Sequence, residues 1–221
     1  MKILNLYSGI GGNRKLWDDV IEAKITAVEH DEKIAEIYQD LFPGDQVIIA
    51  DAHEYLRKNM DDYDFIWSSP PCPTHSKTQY FTRNNDKERG NHKWETAYPD
   101  MRLYQEILLL KHFYHGEYCV ENVVSYYDPL IQPQKRHRHY FWASFSIPDI
   151  RLDSDQITKD ASHFQDRYGF DLSGYSGIDK RQLLRNCVHP ELGKVILQSA
   201  VDRQEVVYKD QPLFSGEQTT Q

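Results

Sequence analysis

With 221 residues, 39% of them hydrophobic and 13% aromatic, the chain has material for a sizeable core in one domain with decorations. No apolar run reaches the length of a membrane span, and the first residues lack the apolar stretch of a secretory signal, so a soluble, intracellular protein is expected. Three cysteines, at 72, 119 and 187, cannot all pair and match no zinc spacing, which disfavours a disulfide scaffold and a structural metal.

The formal net charge of −8 argues at first against a polyanionic partner. Its distribution reverses this, because Asp18 to Asp64 holds fourteen acidic residues against four basic ones. Three other stretches are net basic: Lys77 to Lys93, the run Lys135-Arg136-His137-Arg138-His139, and Lys180, Arg181 and Arg185. A fold with an acidic flank and a basic cleft can bind nucleic acid with strong salt sensitivity.

Along the chain, short apolar strands over 2–7, 24–29, 46–50, 63–68, 117–122 and 138–146 alternate with helical patterns, which predicts an α/β domain with a mostly parallel sheet flanked by helices. Leu16, Val20 and Ile21 fit one helix face, Ile34, Ile37, Tyr38 and Leu41 a second, and Leu103, Ile107, Leu110 and Tyr114 a third. Pro43-Gly44 ends the second helix. These elements give a core over 1–148. Residues 149–179 then read as a small polar, irregular insert, 180–208 as a helical segment returning to the core and interrupted at His189-Pro190, and 209–221 as a polar tail.

Several strand ends carry chemistry. The first strand runs into Ser8-Gly9-Ile10-Gly11-Gly12, a turn that allows close approach of backbone to a ligand. Arg14 stands where a dinucleotide fingerprint has its third glycine, which disfavours a nicotinamide enzyme. Glu29 and Asp51 close the next two strands, the position of ribose-binding carboxylates in Rossmann-like folds. The fourth strand stops at Pro70-Pro71 and delivers Cys72 into a loop, a way of presenting a nucleophile at the carboxyl edge of a sheet. The fifth ends in Glu121-Asn122, a carboxylate and an amide. Each piece has a plain structural reading, as a solvated carboxylate, a buried thiol or a strand-end ion pair. Their occurrence together is what is specific.

The glycine turn, Pro-Pro-Cys, Glu-Asn, Pro133-Gln134-Lys135-Arg136-His137-Arg138 and Arg185-Asn186-Cys187-Val188-His189-Pro190 resemble, in order, the motifs of the cytosine-5 DNA methyltransferases. The resemblance implies a Rossmann-like fold, S-adenosylmethionine as cofactor, and methyl transfer to carbon-5 of a flipped cytosine in DNA through a covalent cysteine adduct. It implies Cys72 as nucleophile, Glu121 at the ring N3, Arg138 on the cytosine carbonyl and Glu121, and Arg136 behind it on the same strand face. Ser76 and Asn122 fall at substrate-binding positions. Around the cofactor it places Tyr7, Ser8, Gly9, Ile10, Gly11, Gly12, Glu29, His30, Asp51, Ala52, Pro71, Leu103, Asn186 and Val188.

The chain departs from the family pattern at Pro73, where glutamine is usual, and at Arg185, where glycine is. Only eleven residues separate Glu121 from Pro133, so the sheet is expected to lack one element. With so short an insert in place of a target-recognition domain, a short sequence context is expected, read mainly by the aromatic and basic loop 73–99 with Tyr80, Phe81, Trp94 and Tyr98. The resemblance suits a restriction-modification enzyme of a prokaryotic or phage-host cytoplasm. The alternative on the same scaffold is a branch acting on transfer RNA, with which the reduced recognition segment is compatible. From another class comes a non-catalytic methyltransferase-like subunit, and a second subunit or a homodimer would complete the recognition surface.

Overall fold

A computed structural model describes residues 1–77, 99–152 and 160–210. Tyr80, Phe81, Trp94 and Tyr98 of the long loop, and the tail from 211 onward, lie outside the described residues. Seven strands form one sheet: β1 (Lys2–Leu6), β2 (Lys24–Glu29), β3 (Gln46–Ile49), β4 (Phe65–Ser68), β5 (Glu117–Val123), β6 (Gln134–Arg136) and β7 (His139–Ala143), in the order β3-β2-β1-β4-β5-β7-β6. The first five are parallel, and β7 runs antiparallel to both β5 and β6. The helices are α1 (Glu32–Leu41), α2 (Ala52–Asn59), α3 (Arg102–Phe113), α4 (Ala161–Tyr168), α5 (Lys180–Asn186) and α6 (Pro190–Asp210).

Alternation along the strands supplies both faces. Ile3, Phe65, Trp67 and Phe141 pack with Leu192, Ile196 and Leu197 of α6, while Leu4, Leu6, Ile66 and Val120 pack with Leu103, Ile107 and Leu110 of α3. Truncating any one of these aromatic side chains to alanine would cost about 3–5 kcal/mol, a large part of a domain's stability. The register pairs Leu6 with Val28 and Ser68, and Ser68 with Val120, so the carboxyl ends of β1, β2, β4 and β5 lie side by side. That edge carries the site.

Four departures from the sequence reading have physical causes. The first strand stops at Leu6 because Tyr7 takes a φ of +54°. Residues 8–20 form turns and one 3-10 turn, Trp17–Asp19, in place of the expected helix. Arg14 sets this course: its guanidinium grips Asp45 through two bonds of 2.9 and 3.0 Å, and Tyr38 donates to the same carboxylate at 2.8 Å. The second departure is the strand expected over 138–146, which is a hairpin: β6 turns at His137, whose φ is +50°, and returns as β7. Arg136 and Arg138 therefore sit on different sides of a turn, not on one strand face.

Third, the segment between Glu121 and Pro133 holds no helix or strand after β5, in keeping with its length, but Gln134–Arg136 within the following motif forms an edge strand of its own. Fourth, the stretch 149–179 is not simply irregular. Asp160 caps α4 through the His163 amide, and Phe164, Tyr168, Phe170 and Leu172 are buried with Ile10, Tyr38 and Phe42. Periodicity also missed α2, whose N-cap is Asp51, accepting from the Glu54 amide at 2.9 Å. Among the described residues no helix is long and apolar enough to cross a membrane.

Candidate active site

At the carboxyl edge of the sheet lies a cavity of about 730 Å³. One half is built by the turn after β1. Gly9, at φ +53°, has nothing within 4 Å of where a Cβ would stand, so its backbone faces open space. Gly12 is glycine for the opposite reason, since a Cβ there would lie 2.5 Å from the Cβ of Cys187. Gly11 turns away from the cavity and packs under the rings of Phe42 and Tyr38. Tyr7, Ser8, Gly9, Ile10 and Gly12 line the space, with Val28, Glu29, His30, Asp51 and Ala52 opposite.

Glu29 is buried and held from three sides: Oε2 accepts from the Gly9 amide at 3.0 Å, and Oε1 from the amides of His30 and Asp31 at 2.9 and 3.1 Å. The Ser8 hydroxyl is buried without a hydrogen-bond partner among the described residues. A fixed carboxylate, an orphaned hydroxyl and an open glycine backbone form a receptor for a polar, hydroxyl-bearing ligand. Asn186 and Val188 close this half beside Arg185 and Cys187.

The other half holds the thiol. Pro70-Pro71-Cys72 is tied to β5 by Asn122, whose Nδ2 donates to the Pro70 carbonyl at 3.0 Å while its Oδ1 accepts from the Val123 amide. Asn122 is thus a buried latch off the cavity lining, not a surface for substrate. The loop then turns, with the His75 and Ser76 amides donating to the Cys72 carbonyl at 3.0 and 3.1 Å, and Ser76 pairs with Ser125 beyond β5. Thr74 Oγ1 accepts from the Asp100 amide at 2.9 Å. Cys72, Pro71, Ser76, Glu121, Arg138 and His139 all line the cavity.

Burial, and next the Glu121 charge, push the Cys72 thiol up to about 11, with Arg138 pulling the other way. Arg138 donates through Nη2 to the carbonyls of Arg185 and Cys187 at 3.0 and 3.3 Å, tying the hairpin turn to the end of α5. The Glu121 carboxylate is hydrogen-bonded to the His139 ring. Two further expected residues, besides Gly11 and Asn122, lie elsewhere. Arg136 points to the outer edge, where it donates to the carbonyls of Ile147 and Pro148 and pairs with Asp149 at 3.2 Å. Leu103 is buried in the core between α3 and the sheet.

Behind the cavity stands a residue that periodicity did not single out. Glu106, on the buried face of α3, accepts from Tyr7 Oη at 2.5 Å and Ser68 Oγ at 2.6 Å, and meets His53 Nδ1 at 3.0 Å. It joins the ends of β1 and β4 to α2 and α3. The signal was present, since a carboxylate beside Leu103, Ile107 and Leu110 on an apolar helix face needs partners. Burial and Glu106 together push the Tyr7 phenol far up, and hydrogen bonding to Glu106 raises the His53 pKa.

A parallel sheet with an antiparallel β7 and a glycine-lined cavity at its carboxyl edge is the architecture of the Rossmann-like, S-adenosylmethionine-dependent methyltransferases. Among solved structures, the Entamoeba histolytica methyltransferase EhMeth superposes with a TM-score of 0.54 at 12% identity, covering 92% of this chain and 98% of that one. Spodoptera frugiperda DNMT2 is 25% identical with a TM-score of 0.37, covering 55% of this chain and 35% of that one. No curated protein matches the chain. Residues 1–98, from β1 through the Cys72 loop, match the family model of the C-5 cytosine-specific DNA methylases, and S-adenosylmethionine is accordingly the methyl donor.

Proposed function

We propose that the chain transfers a methyl group to carbon-5 of cytosine in DNA, through a covalent adduct with Cys72 on a base turned out of its helix. The observation that carries this reading is one continuous cavity lined at one end by Ser8, Gly9 and Glu29 and at the other by Cys72, Glu121 and Arg138. Bound S-adenosylmethionine supplies an electrophilic methyl group there. Ser8 and the Gly9 backbone hold its amino-acid part, Glu29 its ribose hydroxyls, and His30, Asp51 and Ala52 its base. Cys72 gives its proton to solvent as Sγ bonds to carbon-6, the ring double bond shifts its electron pair to carbon-5, and Glu121 protonates N3. After transfer to carbon-5, which releases S-adenosylhomocysteine, carbon-5 gives its proton to solvent, that electron pair re-forms the ring double bond as the carbon–sulfur bond breaks, N3 returns its proton to Glu121, and Sγ takes a proton from solvent.

DNA and RNA oligonucleotides carrying 5-fluorocytosine, incubated with the protein and S-adenosylmethionine, test this directly. A denaturation-resistant adduct with DNA is expected, since fluorine cannot leave as a proton does. An adduct with RNA alone would move the substrate to RNA, and none with either would end the covalent reading. For the cofactor, Glu29→Ala removes the acceptor for both ribose hydroxyls. Binding of S-adenosylmethionine should weaken by about 1.5–3 kcal/mol, roughly ten- to more than a hundredfold in calorimetry. Unchanged affinity would place the ribose elsewhere.

A further inference from the structure

Glu121 opens onto the cavity, yet one of its oxygens is already engaged by a residue with no part in the reading so far. His139 begins β7, opposite Val123, while Glu121 stands opposite Phe141, so the two are diagonal neighbours on one face of the antiparallel pair. Their hydrogen bond runs from ring Nδ1 to Oε1, with His139 5% and Glu121 7% exposed. An imidazole and a carboxylate buried together away from bulk water act as one unit for holding a proton. The charged or titratable groups around this unit are the Cys72 thiol from the loop after β4, the Cys119 thiol on β5, and the Arg138 guanidinium from the hairpin turn.

We propose that His139 is a positioning residue that fixes the Glu121 carboxyl with Oε2 toward the base and shares with it the proton that Glu121 hands to cytosine N3. The inference rests on the methyl-transfer reading above. Before attack the imidazolium and the carboxylate together hold one proton more than a neutral imidazole and a carboxylate do. As the Sγ–C6 bond forms, the Nδ1 proton passes through the Glu121 carboxyl to N3, leaving His139 neutral with its remaining proton on Nε2. When the C6–Sγ bond breaks, N3 returns it to the pair.

Three proteins and two readouts test this. Single-turnover methylation of cytosine DNA, followed from pH 5.5 to 9, should fall about a hundredfold at neutral pH in His139→Ala, within the range for lost acid–base assistance. His139→Asn keeps a donor near the Nδ1 position but stores no proton. It should bind S-adenosylmethionine as the wild type does, be slow at neutral pH, and recover toward acid as solvent supplies the proton that the pair no longer holds. A wild-type rate in His139→Ala, or a wild-type pH profile in His139→Asn, would overturn the proposal. The second readout needs no activity: proton NMR of the free protein should show one strongly deshielded imidazole proton, absent in His139→Asn and lost in Glu121→Gln. Its absence from the wild type would also overturn the proposal, whereas its presence in a protein that forms no adduct with DNA or RNA would fault the methyl-transfer reading alone.

Discussion

Cys72→Ser is expected to reduce methyl transfer by at least about a thousandfold, because a serine hydroxyl lacks both the acidity and the nucleophilicity needed to add to carbon-6. Calorimetry should find S-adenosylmethionine bound as in the wild type, since the cofactor half of the cavity is held by Glu29, Ser8 and Gly9. The wild-type thiol carries its own signature. Burial and the Glu121 charge hold it protonated up to about 11, so alkylation of the free protein by iodoacetamide should be slow at neutral pH. The rate should climb about tenfold per unit as pH rises toward that value, because the thiolate is the reacting form. Reaction already at its plateau near pH 7 would show a thiol far more acidic than its surroundings allow. Transfer surviving in Cys72→Ser would remove the covalent adduct from the mechanism.

The second large effect is on stability. Glu106→Ala deletes a fully buried carboxylate and leaves Tyr7 Oη, Ser68 Oγ and His53 Nδ1 without their common partner. Unsatisfied buried donors cost about 1–3 kcal/mol each, and partial relaxation brings the expected total to about 3–5 kcal/mol. For a domain of this size that is a fall of roughly 10 °C or more in Tm. Glu106→Gln, which still accepts from one or two of the three donors, should lose less. Circular dichroism melts of the two variants distinguish this from a solvated carboxylate, for which both would melt with the wild type.

The central parallel strands were legible because they are buried on both faces, and runs such as Phe65-Ile66-Trp67 are apolar without interruption, whereas β3 at the edge is partly exposed. The strand ends were legible for the same reason, since each run stops at a residue of different chemistry: Glu29, Cys72 after its prolines, and Glu121 with Asn122. What stayed hidden depends on contacts distant in sequence. The Leu16, Val20 and Ile21 spacing suggested a helix, but the Arg14–Asp45 pair spans 31 positions and draws that segment into turns. The hairpin at His137 was hard to see because histidine, though enriched among non-glycine residues at positive φ, signals a turn far more weakly than glycine does. The insert looked polar by composition, although four of its side chains, Phe164, Tyr168, Phe170 and Leu172, supply buried core. Asn122 was placed at the base because the Glu121-Asn122 pair matches the family motif. Strand alternation sends the two to opposite sides, and the amide latches Pro70.

The cavity is closed by two ends of the chain that meet late. Trp17 Nε1 donates to the Gly193 carbonyl across 176 positions, and Gly12 lies so close to Cys187 that it has no room for a Cβ. A ribosome that has released β1 through β5 has therefore made the glycine turn, the Glu29 carboxylate and the thiol loop, but not the cover over them, because Asn186 and Val188 arrive only with α5 and the residues just after it. Contacts of such separation form last and at the highest cost in chain entropy. A ligand held between them favours the finished state by mass action, about 2.7 kcal/mol at a hundredfold excess over its Kd. A methyl donor seated in this cavity would thus stabilise the folded chain as well as supply the reaction.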